Sequence, residues 1–299
     1  MALTEAAPGL PSDRRFSKIR TIGEAVIFRH TLFSLPFALA AALLETGGRP
    51  QAWKLAWILV AAASGRNAAN AINRLVDRDI DAANPRTAGR HLPTGKLSRR
   101  DLGIFAAAML ALLVLAAAML RPICVALLPV AGIMVFGYSY TKRFTWLCHY
   151  WLGATCAIAT MGSFIALSGR IFELRYFALS GGVALWVAGF DIIYALQDLG
   201  VDRAQGLHSV PERFGAAWGH AIAAAMHLGA IFLLASAFLF WSLGLPFLVG
   251  ILAVAALLAS EHLIALGGTE KRIRIAAYGI NEILPLVFLA AVTVDLYLA

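Results

Sequence analysis

Apolar blocks long enough to cross a membrane constrain the fold of this chain more than any other feature. A helical span of a bilayer needs about 20 mainly apolar residues. Nine stretches reach that length, namely 25–45, 51–73, 101–120, 122–141, 149–168, 176–197, 215–240, 243–266 and 276–298. Backbone groups in lipid must pair within their own segment, and runs such as AAAMLALLVLAAAML lack the alternation of barrel strands. The sequence predicts an all-α polytopic membrane protein, with nine transmembrane helices in one bundle.

Charge is scarce and unevenly placed along this chain. Only 14% of the residues are charged, whereas a soluble domain averages about 25%, so a soluble enzyme is excluded. If residues 1–24 form a cytoplasmic N-terminal tail before a transmembrane domain at 25–299, 18 of the 25 Lys and Arg residues face the cytoplasm. This positive-inside pattern predicts a cytoplasmic N-terminus, a bacterial-type inner membrane and an active site on the cytoplasmic side.

The net charge of +8 requires no nucleic acid partner, because anionic lipid and the positive-inside bias account for it. No protein partner is expected from the sequence either. The three cysteines show no metal-ligand spacing and are expected to be small buried hydrophobes.

A first acidic cluster follows the second predicted span, in the segment SGRNAANAINRLVDRDIDAANPRTAGRHLPTG. Asn73, Asp77 and Asp81 are spaced four residues apart, so a continuous helix would place all three on one face. Like charges at this spacing repel each other unless a cation lies between them. Arg66 lies two turns deeper on the same face, and an arginine at that depth indicates a functional site.

A second acidic cluster follows the sixth predicted span, in GFDIIYALQDLGVDRAQGLHSVPERFG. Asp198 and Asp202 repeat the four-residue spacing, and Asp191 and Tyr194 precede them on the same helical face. A solvated helix end with local salt bridges to Arg74, Arg78 or Arg203 is the simpler explanation of each cluster. The hypothesis favoured here is that two acidic faces hold Mg²⁺ and a diphosphate between them, since Mg²⁺ prefers a few carboxylates plus phosphate oxygens.

The same segments resemble a known family. NRLVDRDIDAANPRTAGRHLPTG and YALQDLGVDR are similar to the two aspartate signatures of the UbiA superfamily of intramembrane aromatic prenyltransferases, and YSYTKRFTWLCHYWLG is similar to its tyrosine and KR loop. The resemblance extends over nearly the whole chain and is greatest to the 4-hydroxybenzoate polyprenyltransferase-like branch, including futalosine-route members. One position departs, because Arg74 stands where many members have an aspartate, which leaves the number of Mg²⁺ ions open.

The resemblance implies roles for individual residues. Asn73, Asp77, Asp81, Asp198 and Asp202 would bind the Mg²⁺–diphosphate. The residues expected to contact the diphosphate are cationic, namely Arg86, Arg90 and Lys142, with Arg143 and Arg29 as weaker candidates. Tyr138 and Tyr194 would lie beside the allylic carbon. Arg66 would pair with the acceptor's carboxylate, and Asp191 would orient the acceptor or take its proton.

The implied reaction is Mg²⁺-dependent transfer of a polyprenyl group from polyprenyl diphosphate to an aromatic acid, by electrophilic aromatic substitution with release of diphosphate. The acceptor would be of the 4-hydroxybenzoate type, for ubiquinone, or 1,4-dihydroxy-6-naphthoate, for menaquinone. Two alternatives stay open from the sequence: a secondary transporter of an organic anion, and a UbiA-type enzyme with a different acceptor. A CDP-alcohol phosphotransferase is disfavoured because its signature is absent.

Overall fold

A computed structural model describes residues 20–26 and 31–298, and the regular structure of these residues is entirely helical. Its long helices are α1 (Thr31–Thr46), α2 (Ala52–Val76), α3 (Arg99–Leu120), α4 (Leu128–Thr141), α5 (Cys148–Ser168), α6 (Leu174–Ala195), α7 (Val210–Ala235), α8 (Leu245–Ala265) and α9 (Asn281–Leu298). The expected helical class is confirmed.

Short helical segments connect or extend the long ones. They are Arg78–Ala83, Pro122–Ala126, the 3₁₀ turn Leu196–Asp198, Leu199–Gln205, Ala237–Phe240, Glu270–Arg274 and the π-helical Ile275–Ile280. Residues 20–25 form a further short helix, within the stretch expected to be a tail. Arg29 lies outside the described residues.

Seven helices of the described chain are long and apolar enough to cross a membrane. They correspond to α3, α4 with the turn before it, α5, α6, α7, α8 and α9, each with its continuation. Helix α1 has 16 residues and is too short by itself. Helix α2 has ample length, but its second half carries several polar residues, among them Arg66, Asn67 and Asn70. The bundle therefore agrees with a polytopic membrane protein.

Neighbouring helices pack mainly in chain order. Helix α2 lies against α3, α5 against α6, α6 against α7, and α8 against α9, while α1 lies against α5 and α9. The largest core cluster lies where α1, α6 and α9 meet. There the Phe37 ring lies 5.3 Å from that of Trp186 and 5.0 Å from that of Phe288.

Helices α5 and α6 approach each other closely at Gly153. A Cβ atom at this position would lie 2.2 Å from the carbonyl oxygen of Ala184, so only glycine fits. Small residues at a helix contact let two backbones come together in membrane bundles. The contact fixes the neighbouring turns, where His149 of α5 and Asp191 of α6 lie.

Helix α7 begins before the apolar span that the sequence predicts. A span was expected from residue 215, whereas the helix begins at Val210 and is interrupted at Gly215, whose φ of 84° is outside the helical region. The Ser209 hydroxyl caps the helix, because it accepts a hydrogen bond from the Glu212 N–H at 3.2 Å. The cap fixes the end of the loop that follows the short helix with Asp202.

Candidate active site

The first acidic segment continues from the end of α2. The helix ends at Val76 because Asp77 has φ −91° and ψ 9°, and a short helix resumes at Arg78. The backbone N–H groups of Asp77 and Asp81 still donate to the carbonyls of Asn73 and Asp77, at 2.8 and 2.7 Å. The four-residue spacing therefore survives a break that the sequence did not predict.

The second acidic segment has the same local construction at the end of α6. Asp198 has φ −97° and ψ 0°, and the helix Leu199–Gln205 after it carries Asp202. In both segments the first aspartate lies in the sparsely populated region between the α and β conformations. Asp81, Asp198 and Asp202 are all buried.

The loop after the first segment reaches across to the second. The Asn84 Oδ1 accepts a hydrogen bond from the Arg86 N–H at 3.0 Å, and the Asn84 amide donates to Asp198 Oδ1 at 3.0 Å. Arg86 grips the same carboxylate with two hydrogen bonds, from Nε at 3.0 Å and from Nη2 at 2.6 Å. Its Nη1 donates to the Tyr194 hydroxyl, and its guanidinium lies 4.8 Å from the centre of that ring. The two acidic segments thus belong to one site.

Each of the other acidic side chains also holds a cation predicted to bind diphosphate. Arg90 Nη1 lies 2.5 Å from Asp81 Oδ1, Lys142 Nζ lies 2.7 Å from Asp202 Oδ1, and Arg143 Nη2 lies 3.0 Å from Asp77 Oδ1. These ion pairs join different elements of the fold, instead of neighbouring turns of one helix. Arg74 is also close, with Nη1 3.6 Å from Asp81 Oδ2.

The pKa values of Asp77 and Lys142, at the membrane surface, are both shifted. Burial raises the pKa of the Asp77 carboxyl above its ordinary value, and Arg143 opposes that shift only in part. Burial alone would lower the pKa of Lys142, but the Asp202 carboxylate outweighs it and holds that pKa above its ordinary value. Lys142 is therefore a permanent cation in this site.

The oxygen ligands suit a hard divalent cation, although no three acidic, histidine or cysteine side chains of the described chain already converge on one point. Asp81 Oδ2 and Asp202 Oδ2 are buried and have no hydrogen-bond partner. Each acidic segment thus has one carboxylate oxygen that accepts no hydrogen bond, and oxygens of this kind are the donors that Mg²⁺ selects. Asn73 donates to Asp77 Oδ2 at 2.6 Å, so its own amide oxygen points elsewhere. The donor set fits Mg²⁺ together with phosphate oxygens.

Arg66 lies deeper, at the wall of an apolar cavity of about 330 Å³ between α2, α3, α4 and α5. Its Nη1 donates to Cys156 Sγ at 2.8 Å, while its Nε is buried without a partner. Tyr138 and Asp191 are close enough to interact with it electrostatically. The structure thus brings together Arg66 and Asp191, which the sequence predicts to contact the acceptor, and Tyr138, which it predicts to lie beside the allylic carbon.

Sequence reasoning missed three polar partners in this region, namely Asn84, Cys156 and His149. His149 is the most informative, because its Nδ1 lies 2.6 Å from Asp191 Oδ2. A histidine at the start of an apolar span was a usable signal, since ionisable groups in membrane helices mark function. Asn84 and Cys156 gave no such signal, because both types occur commonly in loops and apolar helices.

The helical bundle and its two paired acidic segments define a polytopic membrane protein with a buried, charged site. The chain belongs to the UbiA prenyltransferase family, whose model matches residues 34–290. It is accordingly a prenyltransferase embedded in a membrane.

Two curated relatives share one name. A "4-hydroxybenzoate octaprenyltransferase" of Cupriavidus necator is 32% identical over 256 residues, which is 84% of this chain and 87% of the relative. A protein of the same name from Saccharophagus degradans is 29% identical over 243 residues, 81% of this chain and 78% of the relative.

Solved structures agree with the fold. A UbiA homologue from Aeropyrum pernix, solved in the apo form, aligns with a TM-score of 0.82 and 32% identity, over 89% of this chain and 98% of its own. A UbiA homologue from Archaeoglobus fulgidus, described as bound to DMAPP and Mg²⁺, aligns with a TM-score of 0.66 and 20% identity, over 92% of this chain and 99% of its own. The second likeness concerns the fold alone.

Proposed function

We propose that this prenyltransferase moves a polyprenyl group from polyprenyl diphosphate to an aromatic acid in ubiquinone or menaquinone biosynthesis, with Mg²⁺ as cofactor. The observation that carries the proposal is the set of four ion pairs, in which each aspartate predicted to bind Mg²⁺ pairs with a cation predicted to bind diphosphate. In an Mg²⁺–diphosphate complex, the metal would bind the aspartates and the phosphate oxygens would bind the cations, so both halves of each ion pair would gain a new partner. The Archaeoglobus homologue bound to DMAPP and Mg²⁺ supports the same use of this fold.

The acidic and cationic side chains of the site would bind the diphosphate by exchanging their present ion-pair partners for Mg²⁺ and phosphate oxygens. Bound Mg²⁺ would neutralise the diphosphate and make it a better leaving group. Asp77, Asp81, Asp198 and Asp202, with Asn73, would hold the metal. The cations released from them, Arg86, Arg90, Lys142 and Arg143, would then turn to the phosphate oxygens. Arg29 stays a candidate for this set.

On the carbon side, the cavity would hold the first isoprene units and exclude water from the allylic cation. The rings of Tyr138 and Tyr194 would stabilise that cation by their π-faces. Arg66 would bind the acceptor's carboxylate, so that the ring carbon beside the phenolic oxygen faces the allylic C1. The ring carbon forms the new C–C bond as the C–O bond to diphosphate breaks, and Asp191 or the released diphosphate takes the ring proton.

The orientation in the membrane follows from the basic residues. We place residues 1–24 and the loops after α2, α4, α6 and α8 on the cytoplasmic side of a bacterial-type inner membrane, with the active site there. Helices α1 and α2 would complete nine spans within the domain 25–299. The polar second half of α2 faces the site in this arrangement, which explains why α2 is less apolar than a lipid-facing helix.

The decisive experiment supplies purified protein in lipid with Mg²⁺ and a long-chain prenyl diphosphate. It offers 4-hydroxybenzoate and 1,4-dihydroxy-6-naphthoate in separate reactions and detects products by mass. A prenylated product that disappears on chelation of Mg²⁺ supports the proposal, and the productive acceptor names the pathway. Folded protein that gives no product with either acid contradicts the proposed acceptor class.

Two variants examine the metal assignment in the same assay. Asp77→Ala and Asp198→Ala should each lower turnover by at least about a hundredfold. Each substitution removes a proposed ligand of the Mg²⁺ ion whose charge would stabilise the leaving group. Asp79→Ala is the matched control, since this aspartate lies in the same segment but its side chain is 83% exposed. Near-normal turnover of both site variants would refute the assignment.

A further inference from the structure

The ring of His149 is buried at the cytoplasmic end proposed for α5, and both of its nitrogens have partners. Nδ1 lies 2.6 Å from Asp191 Oδ2, and the backbone N–H of Val210 donates to Nε2 at 3.3 Å. A nitrogen that accepts a hydrogen bond carries no proton, so the ring proton lies on Nδ1. His149 therefore donates to Asp191, and the start of α7 fixes the tautomer that can do so.

Asp191 has an obvious competing partner in Arg66. The two side chains interact electrostatically, yet among the described residues they form no ion pair within 4 Å. Arg66 instead donates to the weak acceptor Cys156 Sγ and leaves its Nε buried without a partner. A buried guanidinium without a carboxylate is a costly arrangement, because its desolvation is not compensated.

We propose that His149 is a positioning residue that keeps Asp191 out of an ion pair with Arg66 and so keeps Arg66 available to the acceptor's carboxylate. The inference rests on the proposed function, in which an aromatic acid is the acceptor. Without the Nδ1–H donor, Asp191 would turn to Arg66 and occupy the position of the substrate carboxylate.

The packing of α5 on α6 supports a fixed relation between these residues. Gly153 lies one turn after His149, and the Cβ position of this glycine is closed by the backbone of Ala184 and Ala188. Ala188 lies one turn before Asp191. The two helices therefore cannot separate at this level without losing their contact, which holds the imidazole and the carboxylate at hydrogen-bond distance.

Two substitutions distinguish the hydrogen bond of His149 to Asp191 from its hydrogen bond to the start of α7. The side-chain amide nitrogen of asparagine reaches about the position of Nδ1, whereas the amide group of glutamine reaches about the position of Nε2. His149→Asn should therefore keep the acceptor KM within roughly threefold, while His149→Gln should raise it about tenfold or more. The KM for prenyl diphosphate should stay unchanged in both. The reverse order of the two variants, or equal effects on both substrates, would overturn the proposal.

A double variant identifies the competitor directly. In His149→Gln, 4-hydroxybenzoate or 1,4-dihydroxy-6-naphthoate, whichever the wild-type enzyme prenylates, should bind weakly in calorimetric titration without prenyl diphosphate. Adding Asp191→Asn to His149→Gln should restore binding, because the neutral amide no longer neutralises Arg66. Weak binding that persists in the double variant would show that Asp191 is not the competitor and would overturn the proposal.

Wild-type turnover distinguishes a failure of the proposed function from a failure of the proposed role of His149. If the wild-type enzyme prenylates neither acid, the proposed function fails before the variants are compared. If it prenylates one and the asparagine and glutamine variants do not differ, only the role of His149 fails. Should the variants not fold, a structure of the wild-type protein with the acceptor decides the question: the proposal requires the carboxylate on Arg66 with the His149–Asp191 hydrogen bond intact, and an Arg66–Asp191 ion pair contradicts it.

Discussion

At the scale of single residues, the site is organised by charges that compensate each other. Four acidic side chains hold four cations, and the exception is Arg66, whose Nε has no partner. A paired cation can exchange one anion for another at little net cost, whereas an unsatisfied one gains the full interaction when a carboxylate arrives. The pairs therefore suit a site that opens for diphosphate, and Arg66 suits selective binding of an acid.

Replacement of Arg66 should affect the two substrates unequally. Arg66→Ala removes a charge-assisted hydrogen bond to the acceptor, so its KM should rise by about 10- to 100-fold. The KM for prenyl diphosphate should change little, because the diphosphate cations are on other elements. Steady-state kinetics with each substrate varied in turn measures both values. Equal increases in the two would refute the carboxylate role.

Breaking the Arg86–Asp198 pair should reduce stability as well as activity. Asp198→Ala leaves the Arg86 guanidinium without its bidentate partner, and we expect a loss of up to about 3 kcal/mol in the free energy of unfolding. Asp198→Asn keeps one acceptor oxygen and should lose less stability while remaining inactive. Chemical unfolding in detergent distinguishes the two. Identical stability of both variants and the wild type would show that the Arg86–Asp198 pair does not stabilise the fold.

Single residues also show which parts of the candidate site could be predicted from the sequence. The four-residue spacing of the acidic side chains identified Asp77, Asp81, Asp198 and Asp202, because that periodicity is local and independent of the rest of the fold. It could not assign Arg86 to Asp198 or Lys142 to Asp202, since each pair joins elements distant along the chain. His149 was missed for the same reason, because its meaning depends on Asp191 in another helix.

At the scale of elements, both acidic segments interrupt a helix at their first aspartate. Asp77 and Asp198 have nearly the same backbone angles, and each is followed by a short helix that carries the second aspartate. Sequence periodicity predicted one straight helical face in each case, because it contains no information about a change in ψ within a helix. In α7 the apolar block predicted a span from residue 215, whereas the structure has an interruption at Gly215 within a helix that begins at Val210.

The close approach of α5 and α6 leads to a prediction for Gly153. Gly153→Val places side-chain atoms into the backbone of Ala184, and overpacking of this kind costs about 1–3 kcal/mol. The thermal midpoint should fall, and the acceptor KM should rise as His149 moves away from Asp191. Gly162→Ala on the same helix is the control for stability, because its Cβ would meet no atom within 4 Å. Equal midpoints for the two variants would contradict a tight contact at Gly153.

At the scale of the whole molecule, the candidate active site lies where the loops of two parts of the bundle meet. The loop after α2 supplies Asn84, Arg86 and Arg90, and the segment after α6 supplies Asp198 and Asp202. Neither part contains a complete site. The apolar blocks predicted the helices that support this arrangement, whereas the contact between the two loops depends on how the helices pack and could not be derived from block lengths.

An odd number of spans places the two termini on opposite sides of the membrane. We expect a reporter that fluoresces only in the cytoplasm to be dark when fused after residue 298, and bright when fused within the loop 84–98. A phosphatase that is active only outside the cytoplasm should give the opposite pattern. A bright fusion at the C-terminus would contradict the proposed arrangement of nine spans with a cytoplasmic N-terminus.

The position of Arg66 at the wall of the 330 Å³ cavity has a consequence for inhibition. A flat, lipophilic molecule with one carboxylate would satisfy the guanidinium and fill the apolar space with its body. It would then exclude the aromatic acid and the first part of the prenyl chain together, without imitating a diphosphate. Such compounds should compete with both substrates, and their potency should follow the apolar volume that they place beyond the carboxylate.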